Sequence, residues 1–276
     1  MMMSKVATYW IKSIFIAATL LMVSGKFHAQ ERMWKVDQTI SISAERAILD
    51  QLNNVYVLRK GEVIKLDAKG KELSRYSNKL IGEDVLLDVT NPLKVLLYSP
   101  EQMRLITLDS RFGEMNEQVN FFQSGYEQIS LVATSHSNGM WLYDPIDFKL
   151  IRLNKSMDEE RTSLNLAQLF KVNLYPTDLI EINNKVYMTD PNHGVFVFDN
   201  FGNYLRKIPI KGIRKVVISD DRLFYMNKES LRALNLLDSS EEIVTIEMNS
   251  KSYFSVNRNR IAITKKDGII IYQALP

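Results

Sequence analysis

Residues Asn183–Ile208 read NNKVYMTDPNHGVFVFDNFGNYLRKI. The stretch opens on an Asn-Asn turn, followed by an apolar strand over 186–189. A turn follows over 190–194, then a second strand over 195–198. A third turn over 199–202 leads into a third strand over 204–208. Asn-Asn, Asp-Pro-Asn and Asp-Asn-Phe-Gly supply the dihedrals that tight connections need, while β-branched and aromatic residues fill the strands between them.

The same phrase recurs along the chain. Its second strand can be keyed at Tyr56, Leu96, Trp141, Tyr187, Phe224 and Ala262, and the steps between keys are 40, 45, 46, 37 and 38 residues. The third strand closes on Asp67, Asp109, Asn154, Asp199 and Asn235 in five of the copies. A period near 40 with short strands and tight turns is the signature of a β-propeller blade. The last copy ends one strand short of a full blade. A spare strand over 33–42 precedes the first copy and can complete it, which removes an open edge. The spacing therefore predicts an all-β, six-bladed, NHL-like propeller over 30–276, with the N-terminal strand closing the last blade.

Residues 1–29 read as a secretory signal peptide: Lys5 and Lys12 form a basic front, residues 13–25 an apolar stretch, and Phe27-His28-Ala29 a cleavage site before Gln30. The rival reading is an uncleaved anchor over 9–23. No later stretch is long and apolar enough to span a bilayer. The whole chain carries 35 basic and 32 acidic residues. Three of the basic ones, Lys5, Lys12 and Lys26, belong to the leader, so the remainder is neutral. A neutral domain gives no support to nucleic-acid binding, which needs a clustered basic surface. Cysteine is absent, which excludes disulfides, thiolate chemistry and a lipobox anchor.

No linear motif for catalysis or phosphate binding is present. The Asp and Asn that close the third strands read as turn residues, as do Asp144-Pro145 and Asp190-Pro191. His136 and His193 read as exposed turn residues, since neither stands among the partners that a metal site or a triad requires. The inner strands offer only Asp50, Asp88 and Asp178 near the axis. The expectation is a non-enzymatic domain with no cofactor and no metal. The alternatives are a lactonase- or hydrolase-type propeller with a metal in its channel, and a small-ligand or glycan binder.

Two connections, 115–128 and 155–177, are long, and loops on a rigid scaffold are where binding residues concentrate. Each joins an outer strand to the next inner strand on this reading, so both fall on one face. They carry Phe121, Phe122, Tyr126, Phe170 and Tyr175, the candidate contact residues for a protein partner. A helical turn is expected around Leu164–Phe170.

Residues Asn91-Pro92-Leu93-Lys94-Val95, Leu97-Tyr98 and Leu108-Asp109-Ser110-Arg111-Phe112-Gly113-Glu114 resemble a family of secreted propeller-like proteins from Bacteroidota. That group includes the Plug subunit of the type IX secretion translocon. The resemblance implies a periplasmic subunit that sits at the inner end of a giant outer-membrane β-barrel and closes its pore when no cargo is passing. It implies no catalytic residues.

Overall fold

The computed structural model describes residues 33–78, 81–82, 84–115, 118–249 and 252–275. The leader expected over 1–29 lies outside the described residues. Within them, 24 strands form six four-stranded antiparallel sheets, the blades of a β-propeller.

Strand β1 (Trp34–Ile40) stands apart in sequence from the blade it completes. Blade 1 is β2 (Arg46–Leu49), β3 (Val55–Arg59), β4 (Glu62–Leu66) and β5 (Glu72–Ser77). Blade 2 is β6 (Leu86–Asp88), β7 (Val95–Ser99), β8 (Arg104–Leu108) and β9 (Val119–Asn120). Blade 3 is β10 (Leu131–Thr134), β11 (Met140–Asp144), β12 (Lys149–Leu153) and β13 (Glu159–Thr162). Blade 4 is β14 (Asp178–Ile182), β15 (Lys185–Asp190), β16 (Gly194–Asp199) and β17 (Tyr204–Ile208). Blade 5 is β18 (Val216–Ser219), β19 (Arg222–Asn227), β20 (Ser230–Asn235) and β21 (Glu241–Val244). Blade 6 is β22 (Tyr253–Asn257), β23 (Arg260–Lys265) and β24 (Gly268–Ala274), with β1 antiparallel to β24 as its outer strand. The first and last strands thus close the ring, as the strand count predicts.

The six sequence keys fall on one structural position. Tyr56, Leu96, Trp141, Tyr187, Phe224 and Ala262 face Ile48, Asp88, Ala133, Ile180, Val217 and Ser255 across the first two strands of their blades. All six keys are buried. Strand side chains alternate between the two surfaces of a sheet, so each blade presents an apolar face to both neighbours. One apolar cluster fills each gap between blades. Trp141, Tyr143, Phe196 and Phe198 pack between blades 3 and 4, and Tyr56, Val63, Val95 and Ile106 between blades 1 and 2. The outer strands are charged, as in Glu159-Glu160-Arg161 and Arg206-Lys207, which suits edges that must not pair with other chains.

Polar staples join the inner strands. Asp88 accepts from the Thr134 amide at 2.5 Å, Asp178 from the Val216 amide at 3.1 Å, and Ser255 from the Leu49 amide at 3.0 Å. Each binds the backbone of the next blade's first strand. The residues that close the third strands are turn formers, as expected. Oδ1 of Asp67, Asp109, Asn154 and Asp199 accepts amides two and four residues on, at 2.7–3.1 Å. In Asp67 and Asp109 those backbone amides hold the carboxyl below its ordinary range.

Each long connection contains a fourth strand, β9 or β13, that the sequence reading left as loop. The reason is local: β9 has two residues and β13 reads Glu-Glu-Arg-Thr, so neither carries an apolar alternation. Each connection therefore crosses the blade from one face to the other, and does not lie wholly on one face.

Candidate interaction face

Antiparallel pairing fixes which loops share a face. Turns between second and third strands lie with the connections that run from one blade's fourth strand to the next blade's first. Turns between first and second strands, and between third and fourth, lie on the opposite face.

The first of these faces is built around blades 3 and 4. Asp144 accepts from the amides of Ile146 and Asp147 at 2.8 and 3.0 Å, which shapes the turn after β11. That turn grips the connection to blade 4. Asn165 caps α1 (Leu166–Phe170) by accepting from Gln168 N at 2.8 Å, and its Nδ2 donates to Asp147 O at 2.8 Å. Leu166 N donates to Phe148 O at 2.8 Å, and the Phe148 and Tyr175 rings meet edge to face. The other end is held by Asp190, which is fully buried. It accepts from Tyr175 N at 2.7 Å, and from Asn192 N, His193 N and His193 Nδ1 at 2.9, 3.0 and 2.9 Å. These bonds fix a stretch of backbone that presents Ile146, Leu164, Leu169 and Tyr175 to solvent.

The five sequence-predicted contact residues divide. Phe122 is 70 % exposed and Tyr175 59 % exposed. Phe121 is fully buried against Tyr98 and Tyr126, so its expected place in a contact surface is corrected to the core between blades 2 and 3. Tyr126 is half-buried, with its hydroxyl on Glu159 at 2.8 Å. Phe170 is half-buried and packs on Phe196 and Tyr204, 4.7 and 4.8 Å between ring centres, so it anchors α1 and is not a free contact. Adjacent residues at a turn point opposite ways, which is why Phe121 and Phe122 part company. Leu164 and Leu169 belong to the expected helical turn but do not stand out in the sequence as contact residues, and neither does Ile146, because single aliphatic residues in loops carry no pattern.

This division makes a sharp prediction. Phe121→Ala costs about 3–5 kcal/mol of stability, whereas Phe122→Ala stays within about 0.5 kcal/mol of the parent. Equilibrium urea unfolding of the two variants checks it, and equal midpoints would contradict the assignment.

Both histidines lie in turns, as expected, but half-buried and each against a carboxylate. His193 rests on Asp190, and His136 sits on the opposite face with Nδ1 2.8 Å from Glu181 Oε1. Glu181 is buried and also accepts from His136 N at 3.1 Å, Ser135 Oγ at 2.6 Å and Trp141 Nε1 at 2.5 Å. Arg152, also buried, donates to Ser135 Oγ and to His136 O at 2.9 Å each and pairs with Glu160. Ser, His and Glu meet here, but Ser135 and the glutamate share the same ring nitrogen, and no second imidazole nitrogen is left between nucleophile and acid as a triad requires. The cluster ties blade 4 to the first turn of blade 3. No group of three His, Cys, Asp or Glu among the described residues is arranged to hold a metal ion. No helix among them is long and apolar enough to cross a membrane.

No protein-family model matches the chain, and no curated protein does. Solved structures do. A streptogramin B lyase is 9 % identical with a TM-score of 0.62, covering 88 % of this chain and 98 % of that one. A Bacteroides thetaiotaomicron protein of unknown function is 14 % identical with a TM-score of 0.57, covering 87 % and 70 %. PorZ, a surface component of the type IX secretion system of Porphyromonas gingivalis, is 10 % identical with a TM-score of 0.50, covering 88 % and 39 %. At these identities the likeness is one of fold.

Proposed function

We propose that this propeller is a non-enzymatic, extracytoplasmic protein-interaction module of a secretion apparatus, and that it acts as a plug at the periplasmic mouth of an outer-membrane β-barrel translocon. The observation that carries the reading is a set of exposed large apolar side chains on one face, Phe122, Ile146, Leu164, Leu169 and Tyr175, of which the last four ride on the hydrogen-bonded turn and connection of blades 3 and 4. A few anchors, aromatic ones above all, carry most of the binding energy at protein interfaces, and a fixed backbone loses little ordering on docking. The leader-like N-terminus, the neutral domain and the resemblance over 91–114 support the compartment and the partner class. The PorZ likeness supports a propeller within the same kind of system.

The test is a double variant, Phe122→Ala with Tyr175→Ala. It keeps the parent's melting temperature within about 2 °C, since both rings are mostly exposed. Recovery of the partner in pull-downs from native envelopes falls by at least about tenfold, the effect expected of removing a hot-spot pair. Unchanged recovery by a folded double variant removes this face from the interface.

A further inference from the structure

The connection from blade 4 to blade 5 reads Pro209-Ile210-Lys211-Gly212-Ile213-Arg214-Lys215. Two anchors fix it on the interaction face. Gly212 donates its amide to Pro191 O at 2.7 Å, and the Ile213 side chain is buried between blades 4 and 5. Gly212 has a φ of 78°, which only glycine adopts without strain. The residues on either side of these anchors, Lys211 and Arg214, are left exposed. The stretch runs beside the apolar set. Thr177 Oγ1, two residues from Tyr175, donates to Arg214 O at 2.6 Å. Pro191 follows Asp190, which accepts the Tyr175 amide. Lys171, the residue after α1, is exposed two places beyond Leu169.

None of these three cations makes an ion pair among the described residues. The acids of the face have other neighbours. Asp147, next to Ile146, is held by Lys149 at 3.0 Å. Asp190 is buried beneath His193. Asp178 accepts from the Val216 amide at 3.1 Å and has Lys215 as its charge partner. Glu229 stands beside Lys228 in the turn of blade 5. Exposed Glu101 and Glu127 belong to blade 2 and the connection that leaves it, so blade 3 separates them from Lys211 and Arg214. The apolar set therefore has exposed cations on its blade 5 side and exposed acids on its blade 2 side.

Exposed ion pairs contribute little affinity by themselves, but matched charges steer encounter and exclude wrong partners. Apolar anchors beside them supply the binding energy. We propose that the partner segment received here is a stretch of polypeptide in which apolar side chains adjoin carboxylates. Its apolar side chains rest on Ile146, Leu164 and Tyr175, and its carboxylates lie toward Lys171, Lys211 and Arg214. The inference rests on the interaction-face reading above and adds the chemistry of the partner and the direction in which it lies.

Selection of random peptides displayed on phage against the purified protein tests this. Enriched peptides are expected to join apolar residues to Asp or Glu. A fluorescein-labelled enriched peptide is expected to bind the paired variant Lys211→Glu with Arg214→Glu at least about tenfold more weakly than the parent, because attraction becomes repulsion. Lys171→Glu is expected to weaken binding by a smaller factor, so the test survives if the paired variant does not fold. Lys71→Glu, on the opposite face of blade 1, is expected to bind as the parent does. Enrichment of basic or uncharged peptides, no enrichment, binding unchanged in the folded variants, or equal weakening by Lys71→Glu would each overturn the proposal. Dimerisation of the parent that is lost in the paired variant would assign the face to a second copy and overturn it too. Pull-downs from native envelopes keep the two readings apart. Partner lost on replacing Phe122 and Tyr175 but kept in the paired variant overturns the charge requirement and leaves the face standing. Partner kept in both removes the face itself.

Discussion

Glu181→Ala lowers the stability of the protein by about 3–5 kcal/mol, the largest single-residue effect expected outside the apolar core. The carboxylate is buried and takes four hydrogen bonds, from Ser135 Oγ, Trp141 Nε1, and the amide and ring of His136. Truncation leaves a buried indole N–H and a buried hydroxyl without their acceptor. It also takes away the main negative charge beside Arg152, which among the described residues then keeps Glu160. A melting temperature lower by on the order of 10 °C is expected for a domain of this size, along with movement of the Trp141 indole N–H resonance. A shift of less than about 2 °C would contradict the account of this cluster.

The same residue sets a pH dependence. Burial works to raise the Glu181 carboxyl, but bonds from Ser135, Trp141 and His136 outweigh it and hold the group below its ordinary 4.5. A carboxyl lowered in the folded state contributes stability above its unfolded value and loses it as pH falls through the folded value. Glu181→Gln therefore costs most at neutral pH, and its deficit against the parent narrows below about pH 4.5. A deficit that stays constant from pH 7 to pH 3 would count against the network.

Removal of residues 33–42 opens the ring. Strand β1 pairs with β24 through Trp34↔Ala274, Lys35↔Gln273, Val36↔Tyr272, Gln38↔Ile271, Thr39↔Ile270 and Ile40↔Ile269. With a net contribution of about 0.5–1.5 kcal/mol per ladder bond, and about one bond per paired position, its loss costs roughly 3–9 kcal/mol before the packing of Trp34 and Ile40 is counted. The exposed β24 edge, Gly-Ile-Ile-Ile-Tyr-Gln-Ala, is apolar and uncharged, so self-association follows. Size-exclusion chromatography and thermal melting of the truncated chain check both effects. A monomer with the parent's stability would show that β1 is dispensable to closure.

Much of the architecture was legible because it rests on repetition. Turn residues and buried second strands recur at a step near 40, and the key residues of all six copies occupy one register position. The end-to-end closure followed from counting strands. The weak points were the elements without an apolar pattern. β9 is two residues long and β13 is wholly exposed, so neither announced itself.

The candidate site was less legible, for physical reasons. Phe121 and Phe122 are the same residue type at adjacent positions, and only a turn's geometry sends one ring inward and the other out. The Glu181 cluster joins residues 40–46 apart in sequence, across two blades. Asp178 reads in the sequence as an isolated acid, and its bond to the Val216 amide appears only when blades 4 and 5 are set side by side.

The central claim is that this propeller works by holding a protein partner. Affinity purification of a tagged chain from native envelopes, with quantitative mass spectrometry, tests it most directly. The account predicts stoichiometric recovery of a very large outer-membrane β-barrel protein, lost when Phe122 and Tyr175 are replaced by alanine. Recovery of no stoichiometric partner, or of the same proteins with both residues replaced, would contradict it.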